Sequence, residues 1–223
     1  MGVFGLNYLQ NLFRALDLGS LRDLLLRLLA VLLCLTIHEL SHGLAAYALG
    51  DPTAKRNHRL SLNPLRHIDW FGFAMLAVAG FGWAKPVPVN PNYFRRPKLG
   101  MALTALAGPV SNFLLSLILL ALVRPLSVVN HGGSISGTVL EFLVRAAVLS
   151  VGLGLFNLIP IPPLDGSKVL FSLLPDRQYN LLLRYERYGM AILWALVAVG
   201  IGSSYLSAAI YQVFRFFCRI VGL

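Results

Sequence analysis

The chain has 223 residues, of which 57% are hydrophobic and only 13% charged, with a mean hydropathy of +0.71. That balance excludes an ordinary soluble domain and leaves room for one membrane domain and little else. The formal charge of +10 does not make it a nucleic-acid binder, because most of its 19 Lys and Arg residues fall in two loops between apolar segments.

In chain order, residues 1–16 place Leu6, Leu9, Phe13 and Leu16 on one side and Asn7, Gln10, Asn11 and Arg14 elsewhere. This pattern predicts an amphipathic helix lying in the membrane interface, an element of its own over residues 1–20. It lacks the basic start and small-residue cleavage site of a signal peptide. Residues 21–223 then read as a single membrane-embedded domain. Four stretches, 24–49, 101–123, 139–158 and 188–210, are long enough as helices to cross about 30 Å of hydrocarbon. The third carries Glu141 and Arg145 near its start, an i, i+4 pair suited to the interface. Residues 71–84 are uncharged and apolar but too short to span, which predicts a re-entrant hairpin or loop between the first two spans. The predicted fold is therefore an all-α polytopic membrane protein.

Lys55, Arg56, Arg59, Arg66, Lys85, Arg95, Arg96 and Lys98 lie between the first two spans, and Lys168, Arg177, Arg184 and Arg187 between the last two. The positive-inside rule puts both loops in the cytoplasm, where anionic lipid head groups suffice to explain most of this charge. Cys34 and Cys218 both sit in apolar surroundings and imply neither a disulfide framework nor a Cys-rich zinc module.

Inside the first span, His38-Glu39-Leu40-Ser41-His42 reads H-E-x-x-H. Histidines four apart lie about one helical turn from each other, so each can send a ring nitrogen to one metal ion. Glu39 between them is a neighbour of the metal, placed to take a proton from water that zinc acidifies. H-E-x-x-H fixes only three positions and arises by chance in soluble chains. Three ionisable side chains inside a membrane helix are costly, however, and mark a functional site or a cavity.

Zinc held by two histidines needs a third protein ligand while keeping one position open. The strongest candidate is Asp165, in Asn157-Leu158-Ile159-Pro160-Ile161-Pro162-Pro163-Leu164-Asp165-Gly166. Three prolines there break the third span and leave backbone groups without helical partners, a state tolerated at membrane depth where it lines a cavity. The alternative for Asp165 is a cap on a helix beginning near Ser167.

With these motifs in order, the chain resembles the site-2 protease family of intramembrane zinc metalloproteases. The resemblance rests on His38 to His42 in the first span, Gly108-Pro109-Val110-Ser111-Asn112 in the second, and Asn157 to Gly166 at the end of the third. Residues 57–63 and 82–90 also look like the compact bacterial branch. The resemblance implies a three-helix catalytic core in a bacterial plasma membrane, with His38, His42 and Asp165 holding one Zn2+ and Glu39 as general acid and base. It also matches Asn112 and Asn157 to polar positions near the site, where a carboxamide can orient substrate or stabilise an oxyanion. For either asparagine the alternative is a hydrogen bond between helices, and Gly108 has a packing alternative as the point where two helices approach.

Residues 85–91 are rich in proline and favour an extended chain. A strand within residues 71–83 would offer a free edge beside them, where unwound substrate binds by β-addition. The alternative for this region is an interfacial anchor built on Trp70, Phe71, Phe73, Phe81 and Trp83. Trp70 and Phe71 also depart from the less bulky, Pro-containing continuation of the family. His67 and Asp69 are too few for a second metal site, and His58 and His131 have no metal spacing.

The expected partners are the lipid bilayer and single-span membrane protein substrates. With no room for a PDZ or CBS domain, substrate selection falls to the core, the loops or a regulatory membrane partner. Two further readings use the same metal core. A transporter would not require Glu39 and would show paired broken helices from related halves, and a catalytically silent membrane chaperone would bind clients without cutting them.

Overall fold

Backbone groups in lipid must find partners within their own segment, so the long apolar stretches fold as helices. The computed structural model describes residues 21–79, 82–129, 134–185, 188–200 and 202–223. The interfacial helix expected over residues 1–16 lies outside them. In chain order the helices are α1 (Leu21–Ala48), α2 (Thr53–Arg56), α3 (Trp70–Ala79), α4 (Pro97–Val129), α5 (Ser134–Asn157), α6 (Asp165–Ser172), α7 (Asp176–Tyr185), α8 (Gly189–Val199) and α9 (Ser203–Val221).

Of these, α1, α4 and α5 are long and apolar enough to cross a membrane, over Arg22–Ala48, Pro97–Ser127 and Gly137–Asn157. They pack on one another in pairs. Ala30 of α1 meets Ala146 and Ala147 of α5 in the core, and small residues here let helices approach closely in a lipid solvent that offers little hydrophobic drive. Leu119 and Leu120 of α4 and Phe217 of α9 complete that core, with Phe113 and Phe217 edge to face at 6.2 Å.

The two ends of the three-helix unit differ in charge. At one end Arg22 reaches Glu141 at 2.8 Å, and Arg145 joins Glu141 to Asp23, at 2.5 and 3.1 Å. The expected i, i+4 pair is thus half of a four-residue cluster tying the start of α1 to that of α5. At the other end Lys98 donates to the Leu174 carbonyl at 2.8 Å and pairs with Asp176, so the two basic loops meet on one side.

The fourth apolar stretch, residues 188–210, is divided into α8 and the start of α9. Between them Gly200 and Gly202 have φ of +73° and +84°, a left-handed conformation that glycine takes at little cost and that ends a helix. Hydropathy sees one run where two glycines interrupt the backbone. Three continuous spans therefore stand among the described residues, with α9 packed against α4 and α5.

The strand expected within residues 71–83 is instead the helix α3. Ten apolar residues reach lower cost by pairing their own backbone than by exposing a sheet edge. What remains of the hairpin is one antiparallel bridge, Ile68 with Ala84, extended by Lys85 N–H donating to the His67 carbonyl at 2.9 Å. Trp70 and Phe71 stay more than two-thirds exposed at the start of α3, as an interfacial anchor requires.

Candidate metal centre

His38 and His42 lie on one face of α1, and both are buried. Their Nε2 atoms are 3.0 Å apart, and Asp165 Oδ2 lies 3.1 Å from the first and 3.2 Å from the second. Tetrahedral zinc with bonds of about 2.0–2.2 Å spaces its ligand atoms by about 3.3–3.5 Å, close to this triangle.

The far side of each ring decides what the near side can do. His42 Nδ1–H donates to the Thr104 carbonyl of α4 at 2.7 Å, which leaves a lone pair on Nε2 in the neutral ring. His38 Nδ1 lies 3.3 Å from Asn112 Nδ2, one end of a carboxamide whose N and O can be exchanged. With Oδ1 turned toward the ring it accepts the Nδ1–H, and the buried Oδ1 gains the partner it otherwise lacks. Three lone-pair atoms then converge with no proton to share among them. That donor set fits a cation.

Asp165 reaches this point because α5 ends at Asn157 and the proline loop turns the chain back into α6. A Cβ on Gly166 would lie 2.2 Å from the Leu158 carbonyl oxygen, so only glycine permits that return. Asp165 sits in the first turn of α6, whose N-cap is Leu164 with no side-chain cap bond. The N-cap position is therefore not that of Asp165.

Glu39 points into a cleft of about 480 Å3 that it shares with both histidines, Asp165 and Asn157. Its Oε2 accepts the backbone N–H of Val87 at 3.0 Å. Asn157 donates through Nδ2 to the Leu153 carbonyl at 3.0 Å. Asn112, matched to the same chemistry in the sequence, is fully buried behind His38 and does not line the cleft. The α4 residues that do line the cleft, Met101, Thr104 and Ala105, lie nearer the start of that helix.

Three further groups had gone unremarked as site components in the sequence. Thr104 acts through its carbonyl and Val87 through its amide, neither of which residue type announces. Lys168, counted among lipid-facing cations, lines the cleft with Nζ 3.9 Å from Asp165 Oδ1. The pair His67 and Asp69 forms no second metal site: His67 Nε2 donates to the Ser61 carbonyl, and Asp69 accepts the Gly72 N–H.

Two histidines, an aspartate and an adjacent glutamate, gathered where three membrane helices meet, define a membrane metalloprotease. The chain matches the profile "Peptidase family M50" over residues 122–200, a stretch that holds Asn157 and Asp165. It is 39% identical over 178 residues to "Putative zinc metalloprotease YwhC" of Bacillus subtilis, covering 78% of this chain and 81% of that protein. It is 29% identical over 192 residues to "Putative zinc metalloprotease Rip2" of Mycolicibacterium smegmatis, covering 83% and 71%. No solved structure matches. The chain belongs to peptidase family M50, the site-2 proteases; its cofactor is zinc and its place is the bacterial plasma membrane.

Proposed function

We propose that this protease hydrolyses peptide bonds within or beside the transmembrane segments of single-span membrane proteins. The observation that carries the reading is the position of Glu39 and three metal-ligand atoms inside the three-helix unit, opening on a cleft lined by Leu35, Met101, Leu153 and Phe156. An apolar substrate matches such walls, whereas a soluble peptide would gain little from them.

Bound zinc supplies Lewis acidity toward water and the scissile carbonyl. The chain's own groups do the rest. Glu39 takes the proton of the attacking water and returns it to the leaving amine. Asn157, on the same cleft, turns its carboxamide N–H from the Leu153 carbonyl to the carbonyl oxygen of the substrate as charge develops there.

A helical substrate shields its peptide bonds and has to be held extended. Residues 85–90 support that step by β-addition. Pro86, Val87 and Val89 line the same cleft as Glu39, which brings an extended substrate beside the metal centre.

The test is cleavage of a panel of single-span membrane proteins by detergent-purified protein beside Glu39→Gln, with zinc counted in both. The expected result is parent-only cleavage at equal zinc, with a loss of about 10²–10⁴ in rate for the variant. Client binding that is unchanged in Glu39→Gln, with no cleavage by either protein, would move the assignment to a chaperone. Zinc uptake into proteoliposomes would move it to a transporter.

A further inference from the structure

The Glu39 side chain has three rotatable bonds before its carboxylate, and what pins it is a main-chain amide from a segment with no regular structure. That segment, residues 85–90, is itself fastened at both ends. At the start, Lys85 N–H donates to the His67 carbonyl at 2.9 Å, while the Lys85 carbonyl accepts from Arg59 Nη2 at 2.6 Å. At the other end, Asn90 N–H donates to Asp51 Oδ2 at 2.7 Å. Asp51 lies three residues past the end of α1, is fully buried, and binds Thr53 through its other oxygen. Arg59 is buried too. Pro86 and Pro88 have fixed φ and hold their preceding residues extended, so fastening the ends leaves Val87 little freedom.

We infer that residues 85–90 form a strap whose Val87 amide orients Glu39, and that Asp51 and Arg59 are positioning residues acting through it. Neither side chain lines the catalytic cleft. Asp51 receives the Asn90 amide and Arg59 grips the Lys85 carbonyl, so each sets the height at which the Val87 N–H meets the carboxylate. A base displaced by about 1 Å costs about a hundredfold in rate even when substrate still binds. The strap also explains two buried charged side chains that the metal ligands do not need.

This inference rests on the protease reading for its kinetic arm and stands apart from it in its second arm, amide exchange. Between Ala84 and Asn90 the amides are those of Lys85, Val87 and Val89, and Lys85 N–H is held by the His67 carbonyl, so residue-resolved exchange at Val87 reports the Glu39 contact. Asp51→Ala and Arg59→Leu in the full zinc-loaded protein are expected to speed that exchange at least tenfold. On a single-span substrate cut by the parent they should lower kcat about 10- to 100-fold at unchanged KM and zinc content. Arg59→Lys, which keeps a donor, should recover most of the loss. Thr53→Val removes a hydroxyl from the same Asp51 carboxylate without touching the strap and should match the parent.

Should Asp51→Ala or Arg59→Leu fail to fold, Val87→Pro deletes the N–H alone in an already proline-flanked extended run, and Val87→Ala restores it. Val87→Pro should then lose far more kcat than Val87→Ala, which keeps the N–H. Parent-like exchange in both Asp51→Ala and Arg59→Leu would overturn the inference, as would an equal loss in Thr53→Val or equal rates for Val87→Pro and Val87→Ala. If the parent cuts nothing, the protease reading fails, while the exchange result still decides the strap.

Discussion

Gly108→Ala is a one-methyl change that should empty the metal site. A Cβ at Gly108 would stand 2.5 Å from Cε1 and Nε2 of His42 and 2.6 Å from Cε1 of His38. Ordinary contact between such atoms is about 3.5–4.0 Å, so both rings or α4 must move by about 1 Å. The rings have nowhere to go. His42 is tied to Thr104 and His38 to Asn112, both on the same helix as Gly108. Ligand distances tolerate only about 0.2 Å, so the clash is relieved by losing ligand geometry or by pushing α4 away. Overpacking of this kind costs about 1–3 kcal/mol in stability. We expect zinc affinity to fall about 10- to 100-fold, the scale on which disturbed ligand orientation acts. The assay is zinc retention against a chelator series, with melting temperature measured alongside. Gly152→Ala is the control, since its Cβ would meet only Ile210 Cδ1 at 3.4 Å. Parent-like zinc affinity in Gly108→Ala would refute the argument that the absence of a side chain there sets the space for both histidines.

Asn112→Ala removes the acceptor behind His38 and should weaken zinc about 10- to 100-fold, with lost cleavage recovered by added zinc; a loss that zinc does not recover would return Asn112 to the chemical step. Asn157→Ala should keep zinc and KM at parent values while kcat falls about 10²–10³-fold, the scale of a lost oxyanion donor. Unchanged kcat would leave Asn157 as a group bonded only to its own helix.

The candidate metal ligands were legible because their side chains make them expensive at bilayer depth. His38, Glu39 and His42 in an apolar run, and Asp165 after a proline break, have few stable explanations other than a site. The three core helices were legible for the same reason in reverse, since uninterrupted apolar length admits only a helix in lipid. The division at Gly200 and Gly202 was hidden because hydropathy averages over residues while a left-handed φ belongs to single ones. The strand expected before Trp83 failed because the proline-rich stretch after it drew its neighbours toward an extended reading. Residues 70–79 instead pair their own backbone.

The supports of the site were the least legible part, and for one physical reason. Thr104 fixes His42 by a carbonyl, Val87 holds Glu39 by an amide, and Gly108 makes room by having no side chain. Each acts through what every residue possesses or through what glycine lacks, so residue identity gives no notice of it. Asn112 shows the complementary case. A carboxamide near a metalloprotease motif suits an oxyanion site or a ligand support equally well, and only its burial beside His38, off the cleft, favours the second. Chemistry-bearing side chains are thus readable wherever the membrane makes them costly, whereas the groups that aim them have to be read from contacts.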